Sequence, residues 1–164
     1  MELEKSFDLR RLLIGLYFVA FAVFVVVGFM PAEAATSYEK DTTLVIPTIG
    51  LESDVTKVKL EQGKLSTPER IVGSFSRRQN KTLLIGHEST VFGDLDELRI
   101  GDELNYAGNE YVIVDVKMMR KEDVNMRSLL KSAEVDTVVL MTCAGENLDN
   151  GDATHRLIIT ATAL

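Results

Sequence analysis

From residue 42 onward, short apolar runs alternate with turn residues, a pattern that indicates a β-rich domain. β-branched and apolar residues form short runs at residues 43–47, 82–85, 111–116, 137–142 and 157–162, and such runs are typical of strands. Between them lie turn sequences such as Ile49-Gly50, Ala107-Gly108-Asn109 and Asp149-Asn150-Gly151. We therefore predict an all-β domain, either closed or sandwich-like.

One stretch of this domain shows helical spacing instead. Apolar residues stand at Val124, Met126, Leu129 and Leu130, and Asp123, a residue type that caps helices, precedes them. The sequence therefore predicts one short helix within residues 123–133 that starts from an Asp cap.

The N-terminal part of the chain has a different pattern. Residues 12–30 are 19 residues without a charge, close to the ~20 that span a bilayer as a helix. Lys5, Arg10 and Arg11 precede them, so the N-terminus is expected in the cytoplasm. We predict a cytoplasmic segment (1–11), a transmembrane signal anchor (12–30), a tether (31–41) and an extracellular domain (42–164). A cleaved signal peptide ending near Ala32-Glu33-Ala34 is the alternative, and it also places the domain outside the membrane.

Composition narrows the class of function. With 164 residues and 46% apolar content, the chain can bury the core of one domain. Its net charge is −7, and no basic run interleaves with aromatic residues, which argues against nucleic acid as a partner. Arg77, Arg78 and Lys81 form a short basic cluster, interpreted as a solvated loop.

Cys143 is the one cysteine of the chain, and it stands where an apolar run turns polar. A single cysteine cannot form an intramolecular disulfide, so it serves in packing, in an intermolecular bond or in reactivity. A reactive thiol needs a base or a cation beside it. If the last two predicted strands pair as an antiparallel hairpin, Arg156 becomes the neighbour of Cys143. His87 ends another predicted strand and is a candidate acid or base.

Structural explanations exist for each of these residues. Cys143 can pack as a small apolar side chain, Arg156 can pair with Asp149 or Asp152, and His87 can be a structural histidine. Spacing alone leaves these alternatives open.

Longer motifs around the same residues resemble those of sortases, the membrane-anchored cysteine transpeptidases of mainly Gram-positive cell surfaces. The sequence Val139-Leu140-Met141-Thr142-Cys143 is similar to the sortase signature Thr-Leu-x-Thr-Cys, with Val in place of the first Thr. A Gly-His segment followed by Phe, spaced leucines and Gly-Asp covers residues 86–102, and Arg156 opens an apolar last strand. Residues 46–50 resemble the sortase opening Ile-Pro-Lys-Ile-Gly, with Thr48 replacing Lys. The resemblance covers nearly all of residues 42–164.

The resemblance implies a closed β-barrel with one or two short helices and a cysteine transpeptidase activity. Such enzymes cleave the Thr-Gly bond of a signal like Leu-Pro-x-Thr-Gly on surface proteins, and they transfer the acyl group to a cell-wall or pilin amine. Cys143 would be the nucleophile, His87 the acid and base, and Arg156 the oxyanion-stabilising residue, with Thr142 contacting substrate. A peptidase that only hydrolyses the signal and a catalytically silent binding domain are the alternatives.

No cofactor is expected from this resemblance, although some sortases bind calcium. Asp94, Asp96 and Glu97 follow His87 and are the candidates for such a site. A solvated acidic loop is the competing interpretation, because scattered carboxylates specify no coordination geometry.

Overall fold

A computed structural model describes residues 42–61, 64–78, 80–148 and 152–164. The predicted cytoplasmic segment, anchor and tether (residues 1–41) and the predicted turn at residues 149–151 lie outside the described residues. Within the described part of the chain, no helix is long and apolar enough to cross a membrane.

Most of the described chain is β-structure. The strands are β1 (Thr43–Ile46), β2 (Leu51–Lys57), β3 (Leu60–Glu61), β4 (Lys64–Leu65), β5 (Val72–Arg78), β6 (Lys81–Ile85), β7 (Glu103–Tyr106), β8 (Asn109–Arg120), β9 (Thr137–Asn147) and β10 (Ala153–Ala163). Eight of them close a barrel in the order β1-β2-β5-β6-β9-β10-β8-β7, in which β7 pairs with β1. The short strands β3 and β4 pair only with each other. The predicted all-β class is confirmed, and the sheet is closed rather than a sandwich.

All five strands predicted from the sequence are present, whereas β2, β3, β4, β5 and β7 were missed. In β2 only Ser53 and Val55 are buried, so that strand presents few apolar residues to the core. β5 combines Gly, Ser and Arg with two apolar residues, Val72 and Phe75. Pairing with neighbouring strands, rather than their own composition, makes these segments β-structure.

One short α-helix, α1 (Met126–Leu129), follows a 3₁₀ turn at Lys121–Asp123. Its cap is Asn125, whose Oδ1 accepts hydrogen bonds from the backbone N–H groups of Arg127 (3.0 Å) and Ser128 (3.3 Å). The predicted Asp cap was wrong, because Asp123 ends the 3₁₀ turn while Asn125 has the extended backbone that an N-cap requires. Two further 3₁₀ turns occupy Pro47–Ile49 and Leu95–Glu97.

Three neighbouring strands, β6, β9 and β10, are covered on both faces. Their inward side chains, such as Leu84, Leu140 and Ile159, belong to the core inside the barrel. Their outward side chains belong to a second apolar cluster, which includes Leu130 beside α1. Burial on both faces explains why residues 137–142 form a continuous apolar run instead of an alternating one.

The chain leaves β6 through Gly86, where two side chains approach the backbone closely. A Cβ atom on Gly86 would lie 2.6 Å from Cγ1 of Val91 and 2.7 Å from Cδ2 of Phe92. The Phe92 ring is 1% exposed, and the backbone N–H of Phe92 donates to the carbonyl of His87 at 3.0 Å. Glycine is therefore required for the turn that begins at His87 to fold back over the end of β6.

Replacing Gly86 with Ala is expected to lower the free energy of unfolding by about 1 to 3 kcal/mol, because the new methyl group overpacks against the buried Phe92 ring. Urea unfolding of both proteins measures the difference. Ser89→Ala, at an exposed position of the same turn, should change stability by less than about 0.5 kcal/mol. Equal stability of Gly86→Ala and the parent chain would contradict the packing argument.

Candidate active site

Side chains on the outward faces of β6, β9 and β10 contribute to one candidate site. Side chains alternate along a strand, so the outward row that contains Met141 continues to Cys143, and the row that contains Ile158 continues to Arg156. His87 lies two residues beyond the outward-facing Ile85. Cys143, His87 and Arg156 all line one cavity of about 850 Å³. A period of two thus brings them to the same side of the barrel wall.

Strand pairing brings the three residues to the same end of that wall. Cys143 is the direct register partner of Arg156 in the antiparallel pair β9–β10, as the hairpin hypothesis predicted. β6 and β9 are parallel, with Ile85 opposite Met141. His87 and Cys143 each follow one residue of this pair by two positions, so His87 leaves β6 beside Cys143, which still lies within β9. The sequence alone could not show that the end of β6 lies beside Cys143.

Thr142 connects β9 to the backbone at the end of β6. Its side chain is 4% exposed, and its Oγ1 donates to the carbonyl oxygen of Gly86 at 3.0 Å. The backbone N–H of Gly86 donates to the carbonyl of Met141 at 3.4 Å. These bonds fix the backbone before His87 against the backbone before Cys143. Thr142 also lines the cavity, and its predicted contact with substrate stays a prediction.

Cys143 is a free thiol that is only partly buried. The neighbouring positions Thr142 and Ala144 are buried, because they point to the inward side of the barrel. The interpretation of Cys143 as a fully packed core residue therefore does not describe it. Its sulfur is on the side of the strand that faces the cavity.

The guanidinium of Arg156 is held at one end of the cavity by three hydrogen bonds. It donates to Asp152 Oδ1 at 2.7 Å and to the carbonyls of Ala153 at 3.1 Å and His155 at 2.7 Å. The ion pair with Asp152, one of the structural alternatives, is thus present, and Arg156 still lines the cavity with Cys143. The other two of its five N–H groups donate to no described residue. The ion pair and a role in the site are compatible.

Asp152 also pairs with Lys121, so one carboxylate lies between two cations. Its pKa is held well below the usual range, first by the hydrogen bond from Lys121, then by that from Arg156 and by the backbone N–H of Ala153. Asp152 is therefore charged at neutral pH. The Lys121–Asp152–Arg156 network connects the end of β8 to the start of β10.

The rest of the cavity lining combines apolar and basic side chains. Ile85, Val124, Met126, Leu130 and Met141 are among its apolar lining residues. Arg77 of β5 and Arg127 of α1 line it as well. Neither residue was predicted to belong to the site. Arg77 and Arg78 were interpreted as part of a solvated loop, whereas both lie in strand β5.

The carboxylates proposed for calcium lie away from this cavity. Asp94, Asp96 and Glu97 are exposed, and Asp96 and Glu97 belong to the 3₁₀ turn Leu95–Glu97. Among the described residues, no group of three or more His, Cys, Asp or Glu side chains is placed to hold a metal ion. Calcium activation and the absence of any required cofactor both stay predictions.

Comparison with protein families identifies the group to which this barrel belongs. A family model described as the sortase domain matches residues 44–164. The chain belongs to the sortase family. No curated protein sequence matches the chain.

Solved sortase structures share the fold of this family member. A lid mutant of sortase A from Corynebacterium diphtheriae is 19% identical, with a TM-score of 0.60, over 82% of this chain and 74% of that one. Sortase C1 from Streptococcus agalactiae is 19% identical, with a TM-score of 0.60, over 90% and 84% of the two chains. Sortase C-1 from Actinomyces oris is 23% identical, with a TM-score of 0.57, over 75% and 71%. At these identities the likeness concerns the fold.

Replacing Asp152 with Asn is expected to destabilise this sortase-family domain by about 1 to 2 kcal/mol at neutral pH, because two charge-assisted hydrogen bonds weaken. Since folding lowers the pKa of Asp152, the stabilisation is full above the ordinary carboxyl value of 3.8. It is lost as the pH falls towards the lower pKa of the folded state. The difference between the two proteins should therefore shrink below that value. Urea unfolding across this pH range measures it.

Asp115→Asn is the matched control, because Asp115 pairs with Lys117 where the two side chains are 37% and 61% exposed. That change should lower the free energy of unfolding by less than about 0.5 kcal/mol. An Asp152→Asn protein as stable as the parent at neutral pH, or a stability difference that persists unchanged in acid, would refute the network's role.

Proposed function

We propose that the chain is a sortase-type cysteine transpeptidase that cleaves a signal resembling Leu-Pro-x-Thr-Gly and transfers the surface protein to an amine. The observation that carries this proposal is the shared location of Cys143, His87 and Arg156. They extend from three adjacent strands at one edge of the barrel and line one cavity. Membership of the sortase family supports the same chemistry.

In the first step, the thiolate of Cys143 attacks the carbonyl carbon of the threonine in the Thr-Gly bond. The C–N bond breaks, and His87 in its protonated form gives its proton to the leaving glycine amine. The acyl group stays on Sγ as a thioester, and His87 is left neutral. Because the leaving amine is a poor leaving group unless it is protonated, the acid must stand beside the thiol.

In the second step, the amine of a cell-wall precursor or of a pilin attacks the thioester carbonyl. Neutral His87 takes a proton from the incoming amine, a new amide bond forms, and the C–S bond breaks to release the Cys143 thiolate. The proton that left His87 in the first step is thus replaced in the second. Water in place of the amine would give hydrolysis, which is the alternative activity.

Arg156 is assigned to the oxyanion of the tetrahedral intermediates. Arginine does not act as a base in proteins, because its guanidinium stays protonated at any accessible pH. Its two N–H groups that donate to no described residue can donate to a developing negative charge near Cys143. The three bonds to Asp152, Ala153 and His155 hold the guanidinium in place, so it needs little reorganisation during the reaction. Thr142 lines the same cavity and is proposed to contact the substrate's threonine.

The cellular setting forms part of the proposal. We assign residues 12–30 to an uncleaved anchor in the cell membrane, with the N-terminus in the cytoplasm and the catalytic domain extracellular. The partners would be surface proteins with a C-terminal sorting motif and a cell-wall or pilin amine. No nucleic acid and no cofactor take part in this scheme, and the one role considered for calcium is that of an activator.

Purified chain should cleave a quenched Leu-Pro-x-Thr-Gly peptide, and Cys143→Ala should lower kcat/KM by roughly a thousandfold or more, because the nucleophile is removed. Added amine should give a peptide–amine product that mass spectrometry identifies.

Two results would count against the proposal: cleavage that survives Cys143→Ala, and no cleavage by the parent chain across a panel of motif peptides. Cleavage that is indifferent to added amines, with free acid as the only product, would favour the hydrolytic alternative.

Replacing Arg156 with Lys is expected to lower kcat by roughly 10²- to 10³-fold, because an ammonium cannot hold the three anchoring acceptors and also present N–H groups to the oxyanion. Steady-state kinetics on the same peptide measure the effect. Arg70→Lys, at an exposed position outside the cavity, is the control and should leave kcat unchanged. An Arg156→Lys protein with the parent's kcat would remove Arg156 from the mechanism.

A further inference from the structure

The charge around the cavity is opposite in sign to the charge of the chain. The chain has 25 acidic and 18 basic residues and a net charge of −7. The candidate active-site cavity adjoins a smaller concavity of about 480 Å³, with which it shares Arg77, Arg127 and Leu130. Five Lys or Arg residues and one acidic residue line the two together: Arg77, Lys121, Arg127, Lys131 and Arg156, with Asp152.

Three of these cations have no acidic partner. Lys121 and Arg156 share Asp152. The side chains of Arg77, Arg127 and Lys131, here called the basic rim, form no ion pair or hydrogen bond with any residue that the structure describes. All three are exposed. A concave surface whose cations outnumber its carboxylates attracts a negatively charged group.

The basic rim is continuous with the apolar part of the cavity. Arg127 belongs to α1, and its neighbours Val124, Met126 and Leu130 are apolar lining residues of the same cavity. Arg77 lines the cavity from β5, as does Phe75 of the same strand. An occupant that is complementary to this surface combines an apolar side chain with a carboxylate a short distance away along an extended chain.

We propose that the basic rim binds a carboxylate of the peptide substrate, so that the protein favours sorting signals with Asp or Glu near the apolar residue of the motif. The acidic residue would occupy either the variable position of Leu-Pro-x-Thr-Gly or the position directly before its leucine. This inference rests on the proposed function, since it names a substrate feature of the same site.

Expected magnitudes are modest because the rim side chains are exposed. A single exposed ion pair strengthens binding by up to about fivefold. With contributions from both Arg77 and Arg127, Glu should be preferred over Gln by roughly five- to tenfold. The preference should fall at high ionic strength, because salt screens exposed charges. The negative charge elsewhere on the protein repels acidic peptides, so binding of this kind should be confined to the rim.

Peptide binding to Cys143→Ala protein tests the proposal without requiring catalysis. Fluorescence anisotropy would compare labelled motif peptides that carry Glu or Gln at the variable position, and a second pair that differs directly before the leucine. In at least one pair, Glu should bind roughly five- to tenfold more tightly than Gln at low salt. The added changes Arg77→Gln and Arg127→Gln should reduce this ratio to within about twofold.

Arg70→Gln with Lys117→Gln is the matched control. It removes the same formal charge from exposed residues outside both cavities and should keep the preference. Four results would overturn the proposal: no Glu preference in either pair, a preference that survives loss of Arg77 and Arg127, equal loss in the control variant, or no binding of any peptide. Cys143-dependent cleavage of the Gln peptides by the parent chain tests the transpeptidase separately, and it can stand when the rim proposal fails.

Discussion

The position of β9 between two partners determines the site. β9 pairs in parallel with β6 on one side and antiparallel with β10 on the other. A one-residue slip in either pairing would turn an outward side chain inward. The inward face of β9 carries Val138 and Leu140 in the barrel core, and the outward face carries Val139 against Leu130. Because both faces are apolar and buried, packing on each face fixes the register of β9. That register also fixes the relative placement of Cys143, His87 and Arg156.

The barrel interior explains why the site is on the outer wall. Large side chains such as Phe92, Leu95 and Leu98 fill the inside and are at most 1% exposed, so no room remains there for a peptide. The segment with α1, together with Val58, Leu65 and Phe75, packs on the outer wall. Where that cover ends, the outward rows of three strands reach solvent together, and a cavity of about 850 Å³ results. A surface groove of this kind suits an extended chain better than an enclosed ligand.

The apolar strands were predictable because an apolar composition indicates a buried segment. The five predicted runs became strands, and the Cys143–Arg156 pairing followed from the hairpin. β2 and β5 were not predictable in the same way, since their residues are polar and their pairing partners are distant. The predicted helix cap was wrong for a local reason. Asp123 and Asn125 are both residue types that cap helices, and only the backbone conformation distinguishes them. The shared edge of β6 and β9 required the parallel pairing, which no local pattern encodes.

The residues of the basic rim could not be predicted from local sequence either. Arg77 and Arg127 are 50 residues apart, and neither stands in a motif. Their common cavity arises because β5 follows β6 around the barrel while α1 packs over the outer face of β6 and β9. The proposed catalytic residues lie within β9 and β10 or just beyond the end of β6, where sheet register constrains them. Residues proposed to select the substrate lie on the elements that flank the groove, and those positions can change without altering the register that holds Cys143.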